Sequence, residues 1–199
     1  MILFGVTGGI GSGKTAVCNF LKEKKIPIIE ADPLARDLTN HSPEIRQTLV
    51  AEFGKDVYLD SGNLNKDLLS QLVFSDAATR ERVNQIIHPP VFKAIQDRVN
   101  QLKQENQSLA GVEAALIFES KMERILNAVI VVAAPMKKRI EWIKSRDGFS
   151  QEEILKRINS QMPLEEKIKR ADYVIDNDHA LSDLAEKVDE MYNWLSSKI

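Results

Sequence analysis

The chain has 199 residues, 43% of them hydrophobic, enough to bury a full core in one compact body or in one core carrying small insertions. Its 27 basic and 29 acidic residues leave a formal net charge of -2, so no overall field draws it to nucleic acid or to an anionic membrane, although a local anion site is compatible with that balance. Cys18 is the single cysteine, which excludes an internal disulfide and a cysteine-rich metal site, and the apolar start MILFGV is too short for a signal peptide or a membrane span; a reducing, cytoplasmic location is expected.

Residues 1–6 form a short apolar run bounded by glycine, the pattern of a buried strand, and from Lys14 helical spacing begins through Ala16, Val17, Phe20 and Leu21. A second strand is predicted over 26–29. It ends on Glu30-Ala31-Asp32, so that carboxylates lie at its carboxyl end and a βαβ start is complete. Residues 34–107 change character and read as helices inserted into an α/β core. Within them Ser42-Pro43-Glu44 is an N-cap followed by proline, DSGNLN at 60–65 is a turn, and His88-Pro89-Pro90 predicts a break before a helix over 91–105. Strands resume at 108–112 and 128–133, branched and apolar enough to be central in a parallel sheet. Between Pro135 and Pro163 lies a further helical piece, turned at Asp147-Gly148, with Ser150 and Glu153 spaced as a capping box ahead of Ile154, Leu155 and Ile158. A last strand over 173–175 and a helix over 181–195, with Leu184, Val188 and Leu195 on one face, close the chain. No internal repeat is present.

Gly8, Gly13, Lys14 and Thr15 satisfy G-x-x-x-x-G-K-[ST] between a strand and a helix, the context that the chemistry of a phosphate loop requires. The glycines let bare N–H groups approach an anion, and the amino terminus of the following helix adds a favourable field. Lys14 supplies a mobile charge to the β- and γ-phosphates and Thr15 a hydroxyl to magnesium. A dinucleotide fingerprint is the rival reading, because Gly9, Gly11 and Gly13 crowd the same turn and Asp32 occupies the place of a ribose-binding acid; it leaves Lys14-Thr15 without a role. Asp32 otherwise reads as a base or orienter for an acceptor hydroxyl, or as a cap ahead of Pro33. Lys137, Lys138, Arg139, Lys144 and Arg146 against Glu141, with Arg157 beyond them, suit a lid that neutralises a triphosphate. Arg146 and Arg157 are its functional candidates, whereas Lys137 and Lys138 read as a solvated face. Trp142 and Trp194 read as packing residues, His41 and His179 as surface or capping groups, and the three scattered histidines make no zinc motif.

In this order GVTGGIGSGKT, IIEAD with PLAR behind it, IIHP, LIFE, SRDG, RINSQ and ADYVIDND resemble the dephospho-CoA kinases, the last enzymes of coenzyme A synthesis, over nearly the whole chain. The resemblance implies an α/β fold of the nucleoside-monophosphate-kinase type. It has a three-layer P-loop core with a parallel sheet (1–33, 108–135 and 168–199), a helical acceptor-binding domain (34–107) and a small helical lid (136–167). It implies transfer of the ATP γ-phosphate, with Mg2+, to the 3'-hydroxyl of dephospho-CoA. ATP falls to Gly8, Gly9, Ile10, Gly11, Ser12, Gly13, Lys14 and Thr15, to Arg146 and to Asn177 near the adenine, with Thr15 on the metal. Asp32, Lys14 and Arg146 take catalytic roles, and Asp32, Arg36, His88, Glu113 and Arg157 bind the acceptor. No nucleic acid, membrane or obligate protein partner is expected. Five positions depart from the family pattern: Glu113 stands where aspartate is frequent, Ala115 for proline, Arg139 for glutamine, Trp142 for arginine and His179 for glycine. Arg139, one helical turn from Trp142, is the arginine left to close over phosphate. A kinase acting on another nucleotide or small alcohol, and a nucleotide-dependent switch, are the alternative functions.

Overall fold

The computed structural model describes residues 1–178 and 180–198, apart from the side chains of residues 74 and 75. Its branched and apolar runs form β1 (Ile2–Gly8), β2 (Ile28–Glu30), β3 (Leu109–Glu113), β4 (Ala128–Ala133) and β5 (Tyr173–Asp176), joined in the order β2-β3-β1-β4-β5 with every ladder parallel. All five strands therefore end at one edge. β1 is central, flanked by β3 (Val6 opposite Glu113) and by β4 (Gly8 opposite Val132), so the chain leaves β1 where successive connections diverge to either side, the place at which open α/β sheets bind ligands.

Side-chain alternation along β1 assigns the layers. Phe4 and Val6 enter a buried cluster with Val17, Cys18 and Leu21 of α1 (Lys14–Glu23) and Leu184, Val188, Met191 and Leu195 of α9 (Leu181–Ser196). On the other face Thr7 Oγ1 donates to the carbonyl of Ala115, as does Lys167 Nζ from α8 (Leu164–Lys169). Lys167 is fully buried, and its ammonium is also paired with Glu119 at 2.9 Å. That partner offsets a desolvation cost that an unpaired charge would not survive.

The chain divides into two compact units, residues 31–98 and the remainder. In the first of these, α2 (Ala31–His41), α3 (Pro43–Phe53) and α4 (Lys66–Ser75) surround a small core of Ile45, Leu49, Val57 and Tyr58. Ser42 caps α3 by accepting from Ile45 N, with Pro43 at the first helical position, and Asn65 caps α4. The unit bounds differ from the 34–107 read from composition. α2 begins directly after Glu30, and a single long helix, α5 (Ala77–Gln104), carries the chain across the boundary near residue 98. Residues 136–169 fold as α6 (Met136–Asp147), α7 (Gln151–Asn159) and α8, which belong to the sheet-bearing unit.

The break expected at 88–90 does not occur, because α5 passes through Pro89 and Pro90. Proline fixes φ at about -65°, a helical value, so the two residues withhold donors from the carbonyls of Gln85 and Ile86 without forbidding the helix. Val91, Ile95, Val99 and Leu102, all buried and spaced four, four and three residues apart, continue one face beyond them.

Burial, with the Glu113 carboxylate as a second cause, pushes the Cys18 thiol up to about 12 from an ordinary value of 9.0. Between those values the unfolded chain releases a proton that the folded chain keeps, so stability falls as pH rises above 9, by about 1 kcal/mol per unit. Urea melts between pH 9 and 11 should show a shallower loss for Cys18→Ala than for the parent chain. In the folded parent Cys18 should not react with a thiol reagent at pH 8.

Candidate active site

The segment between β1 and α1 turns back on itself: Ser12 N donates to the carbonyl of Gly9 at 3.1 Å, and Ala16 N to that of Gly13 at 3.0 Å. Two glycines are required by their surroundings. A Cβ on Gly8 would overlap the Val132 carbonyl oxygen, and Gly13, at φ 96°, has Asn177 Nδ2 where a Cβ would stand. Asn177 is itself buried and donates to the carbonyl of Ser12 at 2.9 Å, while its own N–H bonds Ala133 O. The strand-end loop after β5 is thereby tied to the glycine loop. Ser12 Oγ is buried in that loop, against Gly8, with no hydrogen-bond partner.

Lys14 and Thr15 open α1 and face a cavity of about 340 Å3, lined also by Gly13, Trp142, Arg146 and Asn177. Trp142 is 38% exposed on this wall and so lines a cavity instead of packing in a core, whereas Trp194 packs against the sheet cluster with its ring 5.0 Å from that of Tyr173. Lys14 Nζ lies 3.5 Å from the carbonyl of Gly9. Arg146, in the last turn of α6, is held by two bonds to its neighbour Asp147, at 2.8 and 2.7 Å. This carboxylate raises the arginine's affinity for its proton, and the guanidinium in turn holds Asp147 below the usual carboxylate range.

Glu113 ends β3, beside Val6 of β1 and opposite Glu30 of β2. Arg157, on the helix started by the Ser150–Glu153 capping box, stacks its guanidinium over Phe149 at 4.2 Å and is not among the residues lining the cavity. Asp32 and Arg36 belong to the helical unit, exposed in α2 at positions one helical turn apart, with Asp32 in the first turn. His88, in the same unit, stacks on Phe92 with centroids 5.9 Å apart, and burial lowers its pKa, partly countered by Glu81. His179 lies outside the described residues.

Arg139 does not stand over the cavity. It is 4% exposed, and its Nε donates to the carbonyl of Ile10 at 2.9 Å, anchoring the loop from below α6. A side chain committed there is not a closing arginine. Three residues to which the sequence reading gave no role matter as much, two of them inside its quoted motifs RINSQ and LIFE: Gln161, whose Oε1 accepts from Ile10 N at 3.1 Å, and the Lys167–Glu119 pair, whose carboxylate also accepts from Met162 N. Their charged or polar character gave no sign of burial. Among the described residues no group of three His, Cys, Asp or Glu could hold a metal ion.

A family model described as dephospho-CoA kinase matches residues 2–183. A dephospho-CoA kinase from Salinibacter ruber is 40% identical over 192 residues, covering 96% of both chains. A crystal structure of TT1252 from Thermus thermophilus superposes with a TM-score of 0.83 at 31% identity, covering 100% of this chain and 97% of the other. A dephospho-CoA kinase structure from Campylobacter jejuni gives 0.71 at 25% identity over 98% of each.

In Gly13→Ala the added Cβ meets both an unfavourable φ and the Asn177 amide. The unfolding free energy should drop by about 1–3 kcal/mol, and Asn177→Ala in the same chain should recover part of that loss. Urea denaturation of the two single variants and the double variant measures the coupling.

Proposed function

The chain belongs to the dephospho-CoA kinase family and so phosphorylates dephospho-CoA to coenzyme A with ATP as donor; we propose that the residues described above divide this reaction as follows. The observation that carries the assignment of roles is the loop of Gly8 to Thr15, whose Gly11, Gly13, Lys14 and Thr15 open on one cavity at the carboxyl edge of a parallel sheet. Of Gly8, Gly9, Ile10, Gly11, Ser12 and Gly13, the glycines present backbone to the ATP phosphates while Ile10 and Ser12, whose backbone groups are already bonded, shape the loop between them, and Lys14 leaves the Gly9 carbonyl to meet the β- and γ-phosphates. Asn177 fixes the loop and borders the nucleoside. Trp142 replaces the family's more frequent arginine on the cavity wall and offers the base an aromatic face.

Magnesium fits this donor set. It keeps several waters and binds through phosphate oxygens with one or two protein groups, so the Thr15 hydroxyl suffices and a cage of protein ligands is not needed. When bound, it neutralises charge on the transferring phosphoryl group.

Asp32 orients or deprotonates the 3'-hydroxyl of dephospho-CoA; its support is its place in the first turn of α2, two residues after β2 leaves the sheet at its ligand-binding edge. Arg36, His88, Glu113 and Arg157 bind the acceptor, with burial favouring the neutral form of the His88 imidazole. Residues 136–167 act as the lid. Arg146 exchanges the Asp147 carboxylate for phosphate as the lid closes, which excludes water as a competing acceptor. The cytoplasm is the proposed location, with Cys18 reduced; among the described residues no helix is long and apolar enough to cross a membrane.

Mass spectrometry of a reaction of protein, ATP, magnesium and dephospho-CoA should show one phosphate gained by the acceptor, with adenosine and AMP as poor substitutes. Asp32→Asn should lower kcat by about 100-fold or more, and Lys14→Ala should abolish measurable turnover, both retaining the parent circular-dichroism spectrum. ATP consumption with dephospho-CoA unchanged would refute the roles given to the acceptor residues. A second readout is optical: ADP should quench tryptophan emission in the parent chain and leave the Trp194 emission of Trp142→Phe unchanged.

A further inference from the structure

Ile10 sits midway along the glycine loop, and both of its backbone polar groups are held by side chains from the segment 136–167. Its N–H donates to Gln161 Oε1 at 3.1 Å, and its carbonyl accepts from Arg139 Nε at 2.9 Å. A trans peptide is planar, with its C=O and N–H pointing in opposite directions, so holding one end of a peptide aims the other. The Gly9–Ile10 peptide is held at its N–H by Gln161. Its carbonyl is thereby turned to the opposite side, where it accepts from Ser12 N at 3.1 Å and lies 3.5 Å from Lys14 Nζ. The Ile10–Gly11 peptide is held at its carbonyl by Arg139, which turns the Gly11 N–H away from α6; Gly11 also lines the cavity.

We propose that Arg139 and Gln161 form a two-point clamp on Ile10 that sets the orientation of both peptides, and so acts as a positioning device for the phosphate-binding N–H groups before any nucleotide arrives. The inference rests on the loop being the phosphate cradle. The two side chains share the work unequally. Arg139 is buried against Gly9, where its guanidinium occupies the space a Cβ would need, so it belongs to the foundation of the loop. Gln161 is half-buried between α7 and α8 and touches the loop by a single acceptor, which makes it the replaceable half of the clamp. Because both ends of the clamp come from the segment proposed as the lid, the part of that segment free to move lies between Arg139 and Gln161, the stretch that carries Arg146 and Arg157.

Gln161→Met keeps the side-chain length and removes the acceptor, and Gln161→Glu keeps the acceptor. Calorimetric titration with inorganic tripolyphosphate and with ADP, each with magnesium, reads the cradle with and without a base. Gln161→Met should weaken both ligands by about tenfold, the net size of one hydrogen bond, and Gln161→Glu should stay within about threefold of the parent. KM for ATP should rise by a similar factor in Gln161→Met while KM for dephospho-CoA is unchanged. Amide exchange in the peptide spanning residues 8–13 should quicken in the same variant. Binding of both ligands within about twofold of the parent in Gln161→Met, or loss of ADP affinity without loss of tripolyphosphate affinity, would overturn the clamp. A parent chain that binds neither ligand would overturn the clamp together with the phosphate-cradle reading beneath it.

Discussion

A loop that aims several peptide N–H groups at one point is electrostatically uphill while that point holds no anion, because like partial charges converge without a counter-charge. Left to itself, a run of glycines would relax into conformations that spread those groups apart. The surroundings therefore have to hold Gly8 to Thr15 in place. β1 and β4 fix its first residue against Val132, α1 fixes its last, and Asn177, Arg139 and Gln161 take hold of Ser12 and Ile10 between them. The side-chain contacts engage Ile10 and Ser12, neither of which lines the cavity, and leave the cavity wall to Gly11, Gly13, Lys14 and Thr15.

The same logic accounts for polar burial around the sheet. Lys167 is fully buried, yet its ammonium meets the Ala115 carbonyl and the Glu119 carboxylate, and Glu119 accepts from Met162 N one residue after Gln161. Thr7 shares the Ala115 carbonyl. The turn after β3, the link between α7 and α8, and the strand leading into the loop are thus joined by one polar network. Such a network is costly to break by removing one member, since the partner is then left buried and unpaired. It ties the link between α7 and α8 firmly to the sheet.

Departures from the family pattern acquire distinct physical meanings in this setting. Arg139 stands where glutamine is frequent and Trp142 where arginine is frequent, and as a sequence the pair suggests an arginine moved by one helical turn. The structure separates them: Arg139 is a buried support of the loop, and Trp142 faces the cavity. The positive charge offered at the cavity wall by this helix falls to Arg146, which is restrained by Asp147. An open cavity that keeps its arginine paired to a neighbouring carboxylate avoids presenting an uncompensated charge when phosphate is absent.

Local rules made a large part of this protein legible in its sequence. Branched apolar runs gave the strands, the Ser150–Glu153 spacing gave a cap, and glycines with Lys14 and Thr15 gave the loop and its chemistry, because each of these depends on residues adjacent along the chain. The prolines of α5 misled for the same reason. Their local cost is real, but the buried row from Val91 to Leu102 outweighs it, and that burial comes from packing that no window of sequence contains. Strand order, the burial of Lys167 and Arg139, and the grip of Gln161 on Ile10 were decided only by tertiary structure. A charged or amide side chain carries no mark of the distant carbonyl or N–H it will meet, and its burial is tolerable only once folding brings that partner within hydrogen-bonding distance.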